Sequence, residues 1–315
     1  MSRKATIVLI ILVATVIVVG TTVVSLVMFA RGYAFSSRDK VGLIHIEGVI
    51  TSGRSSSGFL AQGGAGAESI VEQLEEFRKD KSVRSLVLRV NSPGGSAAGS
   101  QEIYSEIMRV RREGKKVTVS MGDVAASGGY YIASAADRII ADPATLTGSI
   151  GVIMQAVDVH ELLDKYGVNF TTIKSGQHKD IGSFSRPMTA EERTILEGVI
   201  KDVFNQFVSD VSAGRNLPKS YVLKLADGRI YTGKQAANLK LVDRLGGLQD
   251  ALKAAAADAG IKGEFSVIQY RKPRGILDLL FGGLDTNLLQ SSEPAEALGK
   301  LAERFLQAEQ NVNVR

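Results

Sequence analysis

Ser127 stands in a setting that suits a nucleophile. It follows a predicted strand, opens a predicted helix and is flanked by alanines and glycines in the segment VAASGGYY. Small neighbours leave its hydroxyl accessible to a peptide carbonyl. A helix start also presents free backbone N–H groups, and the N–H of Gly128 could hold a developing oxyanion. A tight turn with an ordinary helix cap would use the same residue types, so this segment alone leaves both interpretations open.

A second candidate for backbone donors is the turn NSPGGS at 91–96. Pro93 restricts the backbone, while Gly94 and Gly95 allow a substrate main chain to approach closely and to accept hydrogen bonds from their N–H groups. Taken alone, this sequence is more typical of a plain turn between a strand and a helix.

Several chemistries are excluded by residue types that are missing or scarce. The chain has 315 residues, no Cys and three His. The absence of Cys excludes a disulfide scaffold, a cysteine zinc site, an iron–sulfur cluster and a cysteine nucleophile. The three His lie in unrelated contexts and do not indicate a Ser-His-Asp triad or a multi-histidine metal site. A hydrolase would therefore need a base other than His. For hydrolysis through an acyl-enzyme we expect no metal and no cofactor.

Lys179 is the candidate for that base. It lies in the polar loop IKSGQHKDIGS, between a β-like run, VNFTTIK, and a capped helix. Most lysines are solvated surface groups, and a lysine acts as a general base only where burial lowers its pKa from about 10.4 to about 7–8. A hydroxyl such as that of Ser149, in TGSIGV, could orient the neutral amine.

The elements that would position these residues alternate between strands and helices. Such an order requires parallel strands joined by right-handed crossovers, so the fold class is α/β. We predict strands over 41–50, 85–90, 116–121 and 138–142, and helices over 68–79, 97–113 and 189–213. In the last helix Thr189 and Glu192 form a capping box, and apolar pairs recur every four residues up to Phe207 and Val208, which predicts a packing face.

Residues 5–30 are apolar and carry no charge. As a helix the run would measure about 39 Å, enough to cross a hydrocarbon core of about 30 Å. A cleaved signal peptide is the less favoured alternative, because its apolar core is usually only about 7–15 residues long. Basic residues on the two sides nearly balance, so charge alone leaves the orientation open. The rest of the chain mixes both signs within a net charge of +5 and has no basic stretch with interleaved aromatics, so we expect no nucleic-acid binding.

Four segments in this order resemble the signal peptide peptidase A family, of the short, single-repeat type: NSPGGS, AASGGYYIA, ATLTGSIGVI and IKSGQHKDI. The resemblance covers about residues 41–250 and includes the spacing of 52 residues between Ser127 and Lys179. It implies a Clp protease/crotonase-like fold of repeated ββα units, preceded by one transmembrane helix. It also implies a membrane-anchored serine endopeptidase that hydrolyses remnant signal peptides and other apolar peptides.

The resemblance assigns roles to individual residues. Ser127 would be the nucleophile, Lys179 the general base, and Ser149 the group that hydrogen-bonds the Lys179 amine. Backbone N–H groups of Gly95 (or Gly94) and Gly128 would form the oxyanion hole. The resemblance further implies a homo-oligomeric ring in which Ser127 and Lys179 can come from neighbouring protomers, anchored in the cell membrane with the peptidase on the extracytoplasmic side.

Three other functions stay open at this point. One is a related serine protease that trims damaged membrane proteins. A crotonase-type acyl-CoA enzyme is less favoured because of the predicted anchor and the Ser/Lys pair. A non-catalytic membrane scaffold is less favoured because both Ser127 and Lys179 are present.

The resulting domain organisation has four parts. They are a cytoplasmic tip and transmembrane anchor (1–32), a linker with the first strand and a Gly-rich loop (33–66), the Ser/Lys peptidase domain (67–271) and a C-terminal extension (272–315).

Overall fold

The computed structural model describes residues 15, 18–23, 39–54 and 64–270. The predicted membrane span over 5–30 falls mostly outside these residues, and the extension 272–315 falls wholly outside them. Within the described ranges, no helix combines the length and the apolar character needed to cross a bilayer.

Ten strands lie in the described part of the chain. In chain order they are β1 (Lys40–Glu47), β2 (Ile50–Thr51), β3 (Ala65–Gly66), β4 (Val83–Ser92), β5 (Lys116–Ala126), β6 (Arg138–Ala141), β7 (Leu146–Gly148), β8 (Ile230–Thr232), β9 (Arg244–Leu245) and β10 (Ser266–Gln269).

Eight helices with defined ends alternate with these strands between residues 64 and 270. They are α1 (Ala67–Lys79), α2 (Ala97–Arg112), α3 (Gly128–Ser134), α4 (His160–Lys165), α5 (Ala190–Arg215), α6 (Lys219–Leu225), α7 (Gly233–Asn238) and α8 (Leu248–Asp258).

The main sheet has the strand order β10-β1-β4-β5-β6-β9, and all of these neighbours are parallel. A short β7 pairs with the end of β5 and with β8, the latter antiparallel. The central strands are rich in Val, Ile and Leu because helices cover both faces of a parallel sheet. The α/β class predicted from the alternation of elements is confirmed.

The two faces of the sheet support two cores. Ile44 and Ile46 of β1 belong to the larger core, which includes residues of α1, α2, α3 and α5. Val41 and Leu43 face the other side, where they pack with the alanine-rich helix α8. Side chains of a strand alternate between faces, so this layering fixes the register of the central strands and thereby the positions at which they end.

The prediction of a β-like run at 168–174 is wrong. These residues form an exposed irregular segment, and the described part of 151–189 contains no strand. A lone extended run needs a neighbouring strand to satisfy its backbone groups, and none of the described strands pairs with this one.

Helix α5 has the predicted capping box: Glu192 N–H donates to Thr189 Oγ1 at 3.1 Å and Thr189 N–H donates to Glu192 Oε2 at 3.0 Å. The predicted packing face holds only for the second half of the helix, where Phe207, Val208 and Val211 are buried. In the first half Ile195 and Val199 are exposed, because this part of the helix extends beyond the core of its own chain.

Candidate active site

Ser127 occupies a sharp elbow between β5 and α3. Its backbone angles are φ 52° and ψ −121°, a region that non-glycine residues seldom adopt. Its N–H donates to Gly148 O at 2.9 Å, and its carbonyl accepts from Tyr131 N–H at 2.9 Å. A strained serine between a strand and a helix is typical of nucleophile elbows, in which the turn exposes the hydroxyl.

The alternative interpretation of Ser127 as an ordinary helix cap is not supported by its side chain. Ser127 occupies the N-cap position of α3, but its hydroxyl accepts no capping hydrogen bond from the helix. By contrast, Ser96 caps α2 by accepting from Gly99 N–H at 3.1 Å. The Ser127 hydroxyl is therefore left available to the adjoining cleft.

The two residues after Ser127 must be glycines because neighbouring segments pass very close to them. A β-carbon on Gly128 would lie 2.4 Å from Ser100 Oγ, and one on Gly129 would lie 2.7 Å from Ser92 O. Both distances are too short for real contacts, so only glycine lets the start of α3 pass this close to the end of β4 and the start of α2.

Two backbone N–H groups beside Ser127 are free to bind an oxyanion. Gly95 pairs with Ile50 through its neighbours, since Ile50 N–H donates to Gly94 O and Ile50 O accepts from Ser96 N–H, both at 2.8 Å. Within the described residues, the N–H groups of Gly95 and Gly128 have no hydrogen-bond acceptor. A β-carbon on Gly128 would lie 3.3 Å from the Gly95 nitrogen, so the two glycines are adjacent.

The same contacts distinguish between the two glycines of the NSPGGS turn. The Gly94 N–H already donates to Ser92 Oγ at 3.1 Å, so Gly95 is the better oxyanion donor. Gly95 also has a φ of +149°, and a β-carbon on it would lie 2.2 Å from Ile50 O. Both features require glycine at this position.

Ser149 lies at the same edge of the sheet as Ser127. Ala126 of β5 pairs with Gly148 of β7, and each serine is the next residue after its strand. Ser149 also has a positive φ, 50°, and donates its N–H to Arg229 O at 2.8 Å. Carboxyl ends of parallel strands are the usual place for a site in α/β sheets, and Ser127 and Ser149 share one here.

A cleft of about 720 Å³ opens at this edge of the sheet. Its lining comprises Pro93, Gly95, Ala97, Ser127, Gly128, Tyr131, Ser149, Gly151, Val152, Ile153, Val203, Phe204, Phe207, Ala226, Asp227 and Gly228. Four of the five predicted site residues, Gly95, Ser127, Gly128 and Ser149, are thus brought together. The fifth, Lys179, is not among the lining residues.

The apolar wall of the cleft could not be recognised in the sequence. The stripe on α5 predicts packing only, whereas Val203, Phe204 and Phe207 of that stripe line the cleft. Tyr131 stacks on Phe207 with ring centroids 4.5 Å apart and donates its hydroxyl to the Asp210 carboxylate. Burial and this carboxylate raise the pKa of Tyr131, so it stays a neutral part of the wall. A helix stripe gives no signal of which surface it faces, so only the fold could identify this wall.

Lys179 lies in an exposed turn that is held against the start of α5. The turn is tied there by Arg186, which hydrogen-bonds both Asp180 and Glu192. Glu192 precedes Phe204 by 12 residues, which corresponds to about 18 Å along a helix. The first turn of α5, where the Lys179 turn is held, is therefore separated along the helix from the part of α5 that lines the cleft.

Lys179 differs from the other lysine of its loop. The Lys174 amine donates to Asp180 Oδ1 at 2.6 Å and to Gln177 O at 2.8 Å. The Lys179 side chain makes no hydrogen bond or ion pair with the described residues. The Lys174 amine is already held by its own loop, so Lys179 is the better candidate of the two for a base.

The three histidines lie away from the cleft. His45 is on β1 beside Glu47, with Nδ1 3.3 Å from Oε1, and His178 lies 3.5 Å from Glu191. His160 contacts the Asp158 carboxylate at 2.7 Å, and this hydrogen bond raises the pKa of His160. None of the three lines the cleft that holds Ser127. Among the residues that the structure describes, no cluster of His, Asp and Glu is arranged to bind a metal ion.

A serine at a strand–helix elbow, two free N–H groups and an apolar cleft together define a hydrolase-like site on an α/β sheet. The comparisons with known proteins agree with this class. Residues 109–262 match the model of peptidase family S49. A Synechocystis sp. protein provisionally named as a protease is 44% identical over 241 residues, which cover 76% of this chain and 82% of that protein.

Two further relatives have more specific names. An Enterococcus faecium protein provisionally named signal peptide peptidase SppA is 35% identical over 236 residues, 75% of this chain and 68% of that protein. The chloroplastic serine protease SPPA of Arabidopsis thaliana is 33% identical over 257 residues, 80% of this chain and 37% of that protein. The chain belongs to peptidase family S49, the signal peptide peptidase A family, as the sequence motifs indicated.

Proposed function

We propose that this protein is a membrane-anchored serine endopeptidase that uses Ser127 and Lys179 to hydrolyse remnant signal peptides and other apolar peptides near the membrane. The observation that carries the proposal is the strained Ser127 elbow, which faces the free N–H groups of Gly95 and Gly128 in an apolar cleft. Membership of a peptidase family supports the reaction class.

The chemistry would follow two steps through an acyl-enzyme. Ser127 Oγ attacks the scissile carbonyl while the neutral amine of Lys179 accepts its proton, and the N–H groups of Gly95 and Gly128 bind the resulting oxyanion. The lysine then protonates the leaving amine as the peptide bond breaks. A water molecule, deprotonated by the same amine, hydrolyses the ester and restores Ser127. Ser149, which shares the cleft, would orient the amine.

The lysine would come from a neighbouring copy of the chain in a homo-oligomeric ring. The exposed position of the Lys179 turn, about 18 Å along α5 from the cleft wall, supports this arrangement. So does the surface of the surrounding segment, 151–200, which we call the arm. Its exposed large apolar residues are Ile153, Met154, Val157, Leu162, Tyr166, Val168, Phe170, Ile173, Phe184, Ile195 and Val199. Apolar surfaces of this extent mark interfaces, and burial there would also favour the neutral form of an amine.

The anchor would be the apolar run over 5–30, with a short cytoplasmic amino terminus and the peptidase domain on the extracytoplasmic side. Remnant signal peptides are apolar helices in or near the bilayer, so a tethered peptidase meets them at a raised effective concentration. Val203, Phe204 and Phe207 in the cleft suit the apolar side chains of such substrates. The fold would be of the Clp protease/crotonase-like type with repeated ββα units.

The test is peptide hydrolysis by the full-length protein in detergent. Ser127→Ala, Lys179→Ala and Lys179→Arg should each lower turnover about 100-fold or more; the arginine fails because it cannot give up its proton at working pH. Lys253→Ala, at an exposed lysine of α8 on the opposite side of the sheet, is the matched control and should keep full activity. A fluorophosphonate should label Ser127. Unchanged turnover in Ser127→Ala or Lys179→Ala would refute the pair.

A further inference from the structure

Arg186 hydrogen-bonds both the carboxylate and the backbone carbonyl of Asp180, the residue after Lys179. Its Nε donates to Asp180 Oδ2 at 2.9 Å and its Nη2 donates to Asp180 Oδ1 at 2.7 Å. The Nη2 also reaches the Asp180 carbonyl at 3.3 Å. This paired geometry uses the planar fork of the guanidinium and fixes both the side chain and the backbone of Asp180.

The other edge of the same guanidinium binds the first turn of α5. Arg186 Nη1 donates to Glu192 Oε2 at 2.9 Å and Nη2 donates to Glu192 Oε1 at 2.5 Å. Glu192 is also the acceptor in the capping box with Thr189, and its side chain is only 3% exposed. Arg186 therefore connects the Lys179 turn to a helix end whose own conformation is fixed.

This cluster differs from ordinary surface ion pairs, which contribute little to stability. Asp180 is 13% exposed and also accepts from Lys174 Nζ at 2.6 Å, so two carboxylates and two cations share one site. Removing the guanidinium would leave two poorly solvated carboxylates without their main partner. Gln177 donates to Glu191 Oε2 at 3.1 Å and also links the turn to the first turn of α5, but Glu191 is exposed, whereas the Arg186 cluster is largely buried.

We propose that Arg186 is a positioning residue for the base: by joining Asp180 to Glu192 it fixes the Lys179 turn on the first turn of α5, from which the amine would reach the Ser127 of a neighbouring copy. The proposal rests on the proposed function, in which the Lys179 amine serves Ser127. A base must come within about 3 Å of the proton that it removes, and a displacement of about 1 Å can cost about 100-fold in rate. Arg186 touches no reacting atom and acts only through the loop.

The first test compares kinetics of the full-length assembly. Arg186→Gln should lower kcat about 100-fold and change KM less than about 3-fold, because the cleft is intact and only the base is misplaced. Arg186→Lys keeps the charge but not the fork, and should still lose more than about 10-fold in kcat. Asp180→Asn, nearly the same size, should behave like Arg186→Gln. Arg84→Gln is the control, since Arg84 pairs with Asp39 at 3.4 Å on an exposed surface elsewhere.

The second test reads the loop directly and does not depend on activity. Trypsin should cleave after Lys174 and Lys179 much faster in Arg186→Gln than in the parent, with the sites identified by mass spectrometry. The assembly measured by sedimentation should be unchanged. The proposal would be overturned if the parent and Arg186→Gln had equal kcat or equal protection from trypsin. It would also be overturned if activity were lost only together with assembly. If Lys179→Ala is fully active, the proposed function fails first and the positioning role fails with it.

Discussion

At the scale of single residues, the main feature of the site is the strained backbone of Ser127. Its positive φ places it among conformations that cost about 1–3 kcal/mol for a non-glycine residue. Hydrogen bonds on both sides of the residue, to Gly148 O and from Tyr131 N–H, hold this conformation. The strain therefore falls on the residue whose hydroxyl lies beside the free N–H groups of Gly95 and Gly128.

Gly128→Ala is the residue-scale prediction. The new methyl group would lie 2.4 Å from Ser100 Oγ. Because Ser100 is fully buried and its hydroxyl donates to Ser96 O at 2.8 Å, we expect the start of α3 to shift and its free N–H to move with it. Loss of one oxyanion donor typically costs about 100-fold or more in kcat, and we expect a loss of this size in peptide hydrolysis. Gly247→Ala is the control, because a β-carbon there has open space and the residue precedes α8, outside the arm. Full activity in Gly128→Ala would show that this N–H is not used.

Much of the site at this scale could be predicted from the sequence. Small residues around Ser127 and the paired glycines of NSPGGS indicated the elbow and the backbone donors, and the fold brings them into one cleft. The family resemblance favoured Gly95 with Gly94 as the alternative, but the residue types alone did not distinguish the two. In the structure the Gly94 N–H donates to the Ser92 hydroxyl, which leaves the Gly95 N–H for the oxyanion. The sequence does not show which of the two glycines makes that hydrogen bond.

At the scale of elements, helix α5 contributes to two proposed sites, the cleft of its own chain and that of a neighbouring copy. Its second half provides Phe204 and Phe207 to the cleft, and its first turn holds the Lys179 turn through Glu192. The capping box that begins this helix could be read from Thr189 and Glu192 alone. The second role of Glu192 could not, because it depends on Arg186, which precedes the helix and gives no periodic signal.

The pH dependence of stability tests this junction. Hydrogen bonds from Arg186 and from the Thr189 backbone lower the pKa of Glu192 from 4.5 to about 2. A carboxyl group whose pKa is lowered by folding stabilises fully above its unfolded pKa, and this contribution is lost as the pH falls through the folded pKa. Glu192→Gln should therefore melt below the parent at pH 6, and the difference in Tm should shrink between about pH 4.5 and about pH 2.

Calorimetry across this range gives the measurement, with Glu197→Gln as the control at an exposed position on the same helix. A Tm difference that stays constant down to the acid end of the range, or that widens, would contradict the assignment of the carboxyl–guanidinium contact to the folded state.

At the scale of the whole molecule, the exposed apolar arm is the main difference from the sequence prediction. The strands and helices of the sheet domain were predicted from Val- and Ile-rich runs because each buries its face within its own chain. The predicted strand at 168–174 and the predicted burial of Ile195 and Val199 are wrong, because these apolar residues are not covered by the rest of their own chain. A pattern of apolar residues shows that a surface is to be covered, but not whether the same chain covers it.

Ile173→Asp tests whether the arm is an interface. Ile173 is 96% exposed, so a charge there costs little in an isolated chain but would disfavour an apolar contact between copies. We expect sedimentation to show dissociated chains and peptide hydrolysis to be lost, while the melting of the sheet domain is retained. Leu223→Asp, at an exposed leucine outside the arm, should leave assembly and activity intact. An Ile173→Asp protein that remains assembled and active would exclude this surface.

The proposed mechanism depends most on one copy supplying Ser127 while its neighbour supplies Lys179. Ser127→Ala and Lys179→Ala chains, each inactive alone, should regain hydrolysis when they are co-expressed in one cell and purified together through different tags. Sites that combine an intact Ser127 with an intact Lys179 form only between unlike chains, and a fluorophosphonate should then label the Lys179→Ala chain alone. No recovered hydrolysis in particles shown to contain both chains would contradict a site shared between copies.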